Sequence, residues 1–141
     1  MTLDLGTARA VIAAARSHAQ AAGLKPITVV VLDAGGHVLA AEREDGSSNK
    51  RFEIAYAKAH GAISLGIGSR TLMERAEQQP FFVTAVTSAI GGALVPVPGG
   101  VLVRDSSGGL VGAVGVSGDT SDNDEHAAVA GVEGSGLVAQ L

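Results

Sequence analysis

The chain is poor in bulky side chains. Twenty of its 141 residues are glycine, aromatics are 3%, and alanine makes up much of a hydrophobic content of 46%. Alanine buries little area, so at about 25 cal/mol per Å² each one contributes less than a leucine or phenylalanine would. Such a core holds only if helices and strands approach each other closely. Contacts with further copies can also add apolar burial, so the composition points to a homo-oligomer. The length fits one domain, 1–141.

Periodicity divides the chain into elements. Leu5, Ala8, Ile12, Ala15, Ala19 and Ala22 recur at spacings of three and four, which predicts a helix over 4–22 with Gly23 as a left-handed cap. Two apolar runs, 26–32 and 37–42, flank Asp33-Ala34-Gly35-Gly36 and predict a β-hairpin. Asp33 reads as the residue that shapes its turn. Asn49 is the expected N-cap of a helix over 50–65, with Phe52, Ala55, Ala59 and Ala62 on its apolar face. Ser69 is expected to cap a short helix over 70–78 that stops near Pro80. Residues 81–90 fit a short helix or an irregular segment. Strands are expected at 95–96, 101–104 and 110–116, then a last helix near 123–132 capped by Ser121 or Asp122. Asp124 and Glu125 suit the positive end of its dipole.

Composition excludes several functions. The net charge is −4 and the ten Lys and Arg residues are scattered, so the basic patch that nucleic-acid binding needs is missing. There is no cysteine, which removes disulfides, thiolate metal sites and Cys nucleophiles and fits a reducing, cytoplasmic setting. The first residues lack the basic start of a signal peptide. No apolar run reaches the ~18 residues of a membrane span. No histidine pair has the i, i+4 spacing of a helical zinc site.

A few residues carry chemical interest. Pro98-Gly99-Gly100 and Gly115-Val116-Ser117-Gly118 either offer backbone amides to an anion or simply make turns and close packing. No Gly-Lys-Ser/Thr follows, so neither is a phosphate loop. Lys58 stands among alanines. It presents its ammonium to a ligand carboxylate, or lies solvated along its helix. Arg43 and Arg51 default to the surface. Asp124, Ser117 and Lys58 would make an acid–base group if the fold brought them together. Ser117 lies in Val-Ser-Gly rather than in a nucleophile elbow. His37 is expected to be exposed beside its hairpin turn.

Three segments in order resemble the GlcG/HbpS-like (haem-degrading-domain) family. They are Val30-Val31-Leu32-Asp33-Ala34-Gly35-Gly36-His37-Val38, then Ile54-Ala55-Tyr56-Ala57-Lys58-Ala59, then Pro98-Gly99-Gly100 with Gly112-Ala113-Val114-Gly115-Val116-Ser117-Gly118, Asp124 and Ala130-Gly131. The likeness covers nearly the whole chain. Departures are Gly61 where threonine is common, Val101-Leu102 after the double glycine, and the run 122–126. The resemblance implies an α/β (α+β), profilin-like fold, with a five-stranded antiparallel sheet flanked by helices, in a homo-oligomer. It also implies a small-ligand-binding protein, with haem as a ligand of some members and one branch fused to corrinoid adenosyltransferases. Lys58, Gly99, Gly100, Gly115, Ser117 and Gly118 are then the expected ligand contacts. His18, His60 and His126 are the imidazoles on offer to haem iron. The alternative is a cofactor-independent enzyme moving protons on a small carboxylate or carbonyl compound through Lys58 and Asp124. An interaction module with no pocket is a third reading.

Overall fold

The computed structural model describes residues 1–141. Its elements are α1 (Leu5–Ala21), β1 (Thr28–Asp33), β2 (Val38–Arg43), α2 (Arg51–Leu65), α3 (Ser69–Gln78), α4 (Pro80–Ala89), β3 (Gly100–Arg104), β4 (Leu110–Ser117), α5 (Ser121–Gly134) and β5 (Val138–Gln140). The strands form one sheet in the order β2-β1-β4-β3-β5, and every neighbouring pair is antiparallel. This is the five-stranded α+β architecture that the resemblance implies.

Local chemistry explains the first elements. Asp4 caps α1 by accepting the Thr7 amide at 2.8 Å, and Gly23 ends it with φ +69. In the hairpin turn, one Asp33 oxygen accepts the amides of Gly35 and His37 at 2.9 Å each. The His37 amide is the main reason that this carboxyl sits below its usual pKa. His37 itself is exposed.

Several boundaries differ from expectation. Asn49 caps nothing, because α2 starts after Lys50 and has no side-chain cap. Ser69 lies inside α3, whose N-cap is Gly68, and its hydroxyl serves a strand instead. Pro80 does more than stop α3: it opens α4, where its missing N–H has no cost. Thr120 caps α5, accepting the Asn123 amide at 3.2 Å, so Ser121 and Asp122 fall within the first turn. Residues 95–96 are not a strand, and the fifth strand is β5 against β3. Three residues are too few to show an alternating pattern.

The sheet separates two packing layers. On one face, Val29, Val31, Val101, Val103, Val114 and Val116 pack against Val11, Ile12 and Ala15 of α1 and Ala127, Ala128 and Val132 of α5. On the other, Val30, Leu32, Leu102 and Ala113 meet Ala55, Ala59 and Ala62 of α2. Leu72, Val83 and Leu94 form a small third cluster around α3 and α4. No helix is long and apolar enough to cross a membrane.

Candidate functional site

The register places Gly100 directly across from Gly115. A Cβ on Gly115 would lie 1.9 Å from the Ala55 carbonyl oxygen, and one on Gly100 would lie 2.3 Å from that of Lys58. The two glycines therefore make a flat spot on which the backbone of α2 rests. Of the two roles that the sequence leaves open for these glycines, this geometry matches close packing. Gly115 is inside β4, and the Gly100 amide is already held by the Ser69 hydroxyl at 2.7 Å. Gly118 is likewise a close approach, since its Cβ would meet the Pro26 carbonyl oxygen at 2.2 Å. Gly99 has φ +126, and a Cβ there would come within 2.7 Å of Lys58 Nζ.

This close seating carries Lys58 inward. The residue is 2% exposed, and Nζ donates to the Val116 carbonyl oxygen at 2.9 Å and to Asp124 Oδ2 at 3.1 Å. Asp124 is 1% exposed, and its other oxygen accepts the Asp119 amide at 2.8 Å. Burial lowers the Lys58 pKa and raises that of Asp124, and each partner's charge offsets part of the other's shift. Ser117 joins from β4 through another cation, since its hydroxyl accepts from Arg51 Nη1 at 3.1 Å.

A second layer lies outside this pair. Arg70 Nε donates to both oxygens of the buried Glu125 at 3.1 Å, and its Nη2 reaches Asp122. Those carboxylates raise the Arg70 pKa. Asp119 accepts from the Asn123 side chain and the Lys25 and Thr120 amides, which hold its pKa at about 2. Sequence reasoning missed Arg70, Glu125 and Ser69 as members of this network. Ser69 carried a signal, but it read as a cap; nothing local in the sequence marks Arg70.

The fold thus brings together Lys58, Asp124, Gly99, Gly100, Gly115 and Ser117. It does not bring the histidines to them. His18 is half-buried on α1, and His126 is exposed on α5. His60 is half-buried on α2, stacked on Tyr56 with ring centroids 5.3 Å apart. Its Nδ1 lies 2.8 Å from the Ala93 carbonyl oxygen. A carbonyl only accepts, so Nδ1 carries the proton and Nε2 carries the lone pair. No group of three or more metal-ligating side chains occurs, and no pocket of ligand size opens in the single chain. Chemically, Lys58 and Asp124 satisfy each other and are closed to substrate, so their geometry is that of a fastening between α2 and α5.

A family model described as haem degrading protein HbpS-like matches residues 3–133. No curated protein matches the chain significantly. Among solved structures, a double mutant of Streptomyces reticuli HbpS is 29% identical, with 94% of this chain and 86% of that one covered and a TM-score of 0.80. A Klebsiella pneumoniae protein, ORFY, is 25% identical over 96% and 92% of the two chains, with a TM-score of 0.86. A complex of PduOC with haem shares the fold at 22% identity, full coverage of both chains and a TM-score of 0.87.

Proposed function

From the premise that the chain belongs to the HbpS-like family of haem degrading proteins, we propose that it is a non-enzymatic small-ligand-binding protein whose first ligand to test is haem. The observation that carries the reading is the family match across residues 3–133, supported by the likeness to a protein crystallised with haem. The extent of that match also supports reading the chain as one working unit.

Three imidazoles meet the basic chemical requirement of haem iron, a neutral nitrogen lone pair. His60 meets it with a defined tautomer, because Ala93 takes the Nδ1 proton and Nε2 is neither bonded nor buried. His18 and His126 lie on other helices and are not closed off. None of the three lines an enclosed cavity. A haem held by any of them would sit at a surface, and a second copy of the chain would be needed to cover its other side. The proposal therefore includes a homo-oligomer. Haem bound in this way would supply redox and gas-binding chemistry, and His18, His60 or His126 would hold its iron. The enzyme reading finds no support in the geometry, because Lys58 and Asp124 have no open path to a substrate.

Haem titration of the purified protein tests the proposal, with light scattering alongside. A Soret shift that saturates at a fixed haem-to-chain ratio is expected, lost in one of His18→Ala, His60→Ala and His126→Ala. A spectrum identical to free haem throughout removes haem as the ligand. A monomer mass at micromolar concentration removes the oligomer.

A further inference from the structure

We propose that a second copy of the chain docks on the outer face of α4, formed by Phe81, Ala85 and Ala89, about a two-fold axis that passes Ala85. This docking face rests on the homo-oligomer of the proposed function and gives it a place in the fold.

α4 stands apart from the other helices in what it shows to water. Its inward side, Phe82, Val83, Val86 and Ile90, closes the small cluster with Leu72 and Leu94. Its outward side is Phe81, Thr84, Ala85, Ser88 and Ala89, all exposed. A surface helix normally carries charge on its outer face. The other four do so through exposed Arg9 on α1, Glu53 on α2, Glu74 and Glu77 on α3, and Asp122 and Glu133 on α5. α4 has no charged residue, and neither does the whole stretch 78–103. Phe81 is 73% exposed, more than any other large hydrophobic side chain of the chain.

The charge of this face selects its occupant. A charged protein surface would lose hydration against it and gain no ion pair. A nucleic acid needs basic groups, and the face has none. An anionic membrane would meet the exposed Glu74 and Glu77 of α3, without the lysines and arginines of an interfacial helix. What fits is another exposed face that is neutral and apolar. Among the helices of this chain, that face is α4 itself. Two copies, each with net charge −4, also repel least where neither presents a charge.

The shape of the face is self-complementary. Phe81, Ala85 and Ala89 are four residues apart, so they stack along one side of the helix. The bulky side chain is at one end, and the small ones are in the middle and at the other end. A two-fold axis across the helix sets two copies antiparallel, so that residue i meets residue j and j meets i. With Ala85 on the axis, each Phe81 covers the partner's Ala89. A parallel pair would set phenylalanine against phenylalanine and hold the alanines apart.

The chain has no cysteine of its own, so Ala85→Cys reports on this contact alone. Alanine at the crossing lets the helix axes approach to about 8 Å, and two Cα atoms at the axis then stand within disulfide reach. Mild oxidation should link Ala85→Cys chains into dimers on a non-reducing gel. A control, Ala13→Cys on the exposed side of α1, should stay unlinked. In light scattering, Phe81→Glu should weaken self-association about tenfold or more, as loss of an aromatic anchor does. Its urea midpoint should match wild type, because the side chain it replaces is already in water. An oligomer whose mass is unchanged in Phe81→Glu overturns the proposal and leaves the homo-oligomer standing on another surface. So does an oligomer in which Ala85→Cys links no faster than Ala13→Cys. A wild-type monomer overturns both. A monomer that floats with phosphatidylcholine vesicles, and ceases to do so in Phe81→Glu, assigns the face to a lipid surface instead.

Discussion

The two faces of the sheet are held in different ways. On the α1/α5 face, valines and Ile12 meet side chain to side chain. On the α2 face, glycines remove side chains so that helix backbone meets strand backbone, and a buried charge pair closes the end of the seam. The first kind of layer tolerates some change in shape, since neighbouring side chains can repack. The second tolerates little, because a carbonyl oxygen cannot move aside like a side chain, and a buried charge cannot lose its partner.

The largest expected effect tests the charge pair. Lys58→Met leaves Asp124 buried and unpaired, and should cost about 3–5 kcal/mol in urea unfolding. Lys58→Met combined with Asp124→Leu should be close to neutral, or more stable by about 1–4 kcal/mol, because both desolvated charges are gone. A single variant as stable as wild type would mean that Lys58 swings to solvent, and the contrast between the faces would weaken. On the other face, Ile12→Ala should cost about 2–5 kcal/mol by the same measurement, for lost burial and a cavity.

Gly115→Ala separates the two kinds of packing more sharply. It adds one methyl group where 1.9 Å is available, so it should destabilise by about 1–3 kcal/mol although alanine suits a strand no worse than glycine. Unchanged stability would show that α2 can lift off without cost. Smaller still is Thr120→Ala, which should cost about 1 kcal/mol through loss of the α5 cap.

The pH dependence is expected to come from the rims of the sheet, not from either packed face. Asp105, held mainly by the Ser107 hydroxyl, and Asp119, held mainly by Asn123, both have folded pKa values of about 2, against 3.8 unperturbed. Depressed acids stabilise the fold above the unfolded value and lose that contribution as pH falls through the folded one. The urea midpoint should therefore drop between pH about 4 and pH about 2. Asp105→Asn and Asp119→Asn should each flatten that drop, and a profile unchanged by both would place the acid sensitivity elsewhere.

Much of the fold was legible in the residues. The spacing of Leu5, Ala8, Ile12 and Ala15, and the Asp33 turn between two apolar runs, are local signals, and the helix and hairpin stand where they point. Caps were harder to read. Asn49, Ser69, Ser121 and Asp122 are all good capping types, yet Thr120 caps α5, and the Ser69 hydroxyl goes to Gly100. A capping side chain chooses among several acceptors and donors, and the packed neighbours set that choice. β5 escaped notice because pairing with β3 defines it, more than any pattern of its own.

The candidate site shows the same division. Lys58, Asp124, Ser117 and the glycines could be picked out from the sequence, because a lysine among alanines and glycine pairs near strand ends are rare and chemically suggestive. Their roles could not. Whether a glycine offers its amide to a ligand or its empty Cβ position to a helix depends on what lies above it. Whether Lys58 faces solvent or a carboxylate depends on Asp124, 66 residues away. The sequence alone determined the helices, the hairpin and the scarcity of side-chain bulk, since these follow from spacing and composition within a few residues. Only the tertiary structure decided that this scarcity draws α2 onto the sheet and buries a lysine against an aspartate. Burial and pairing depend on distances between segments far apart in the chain.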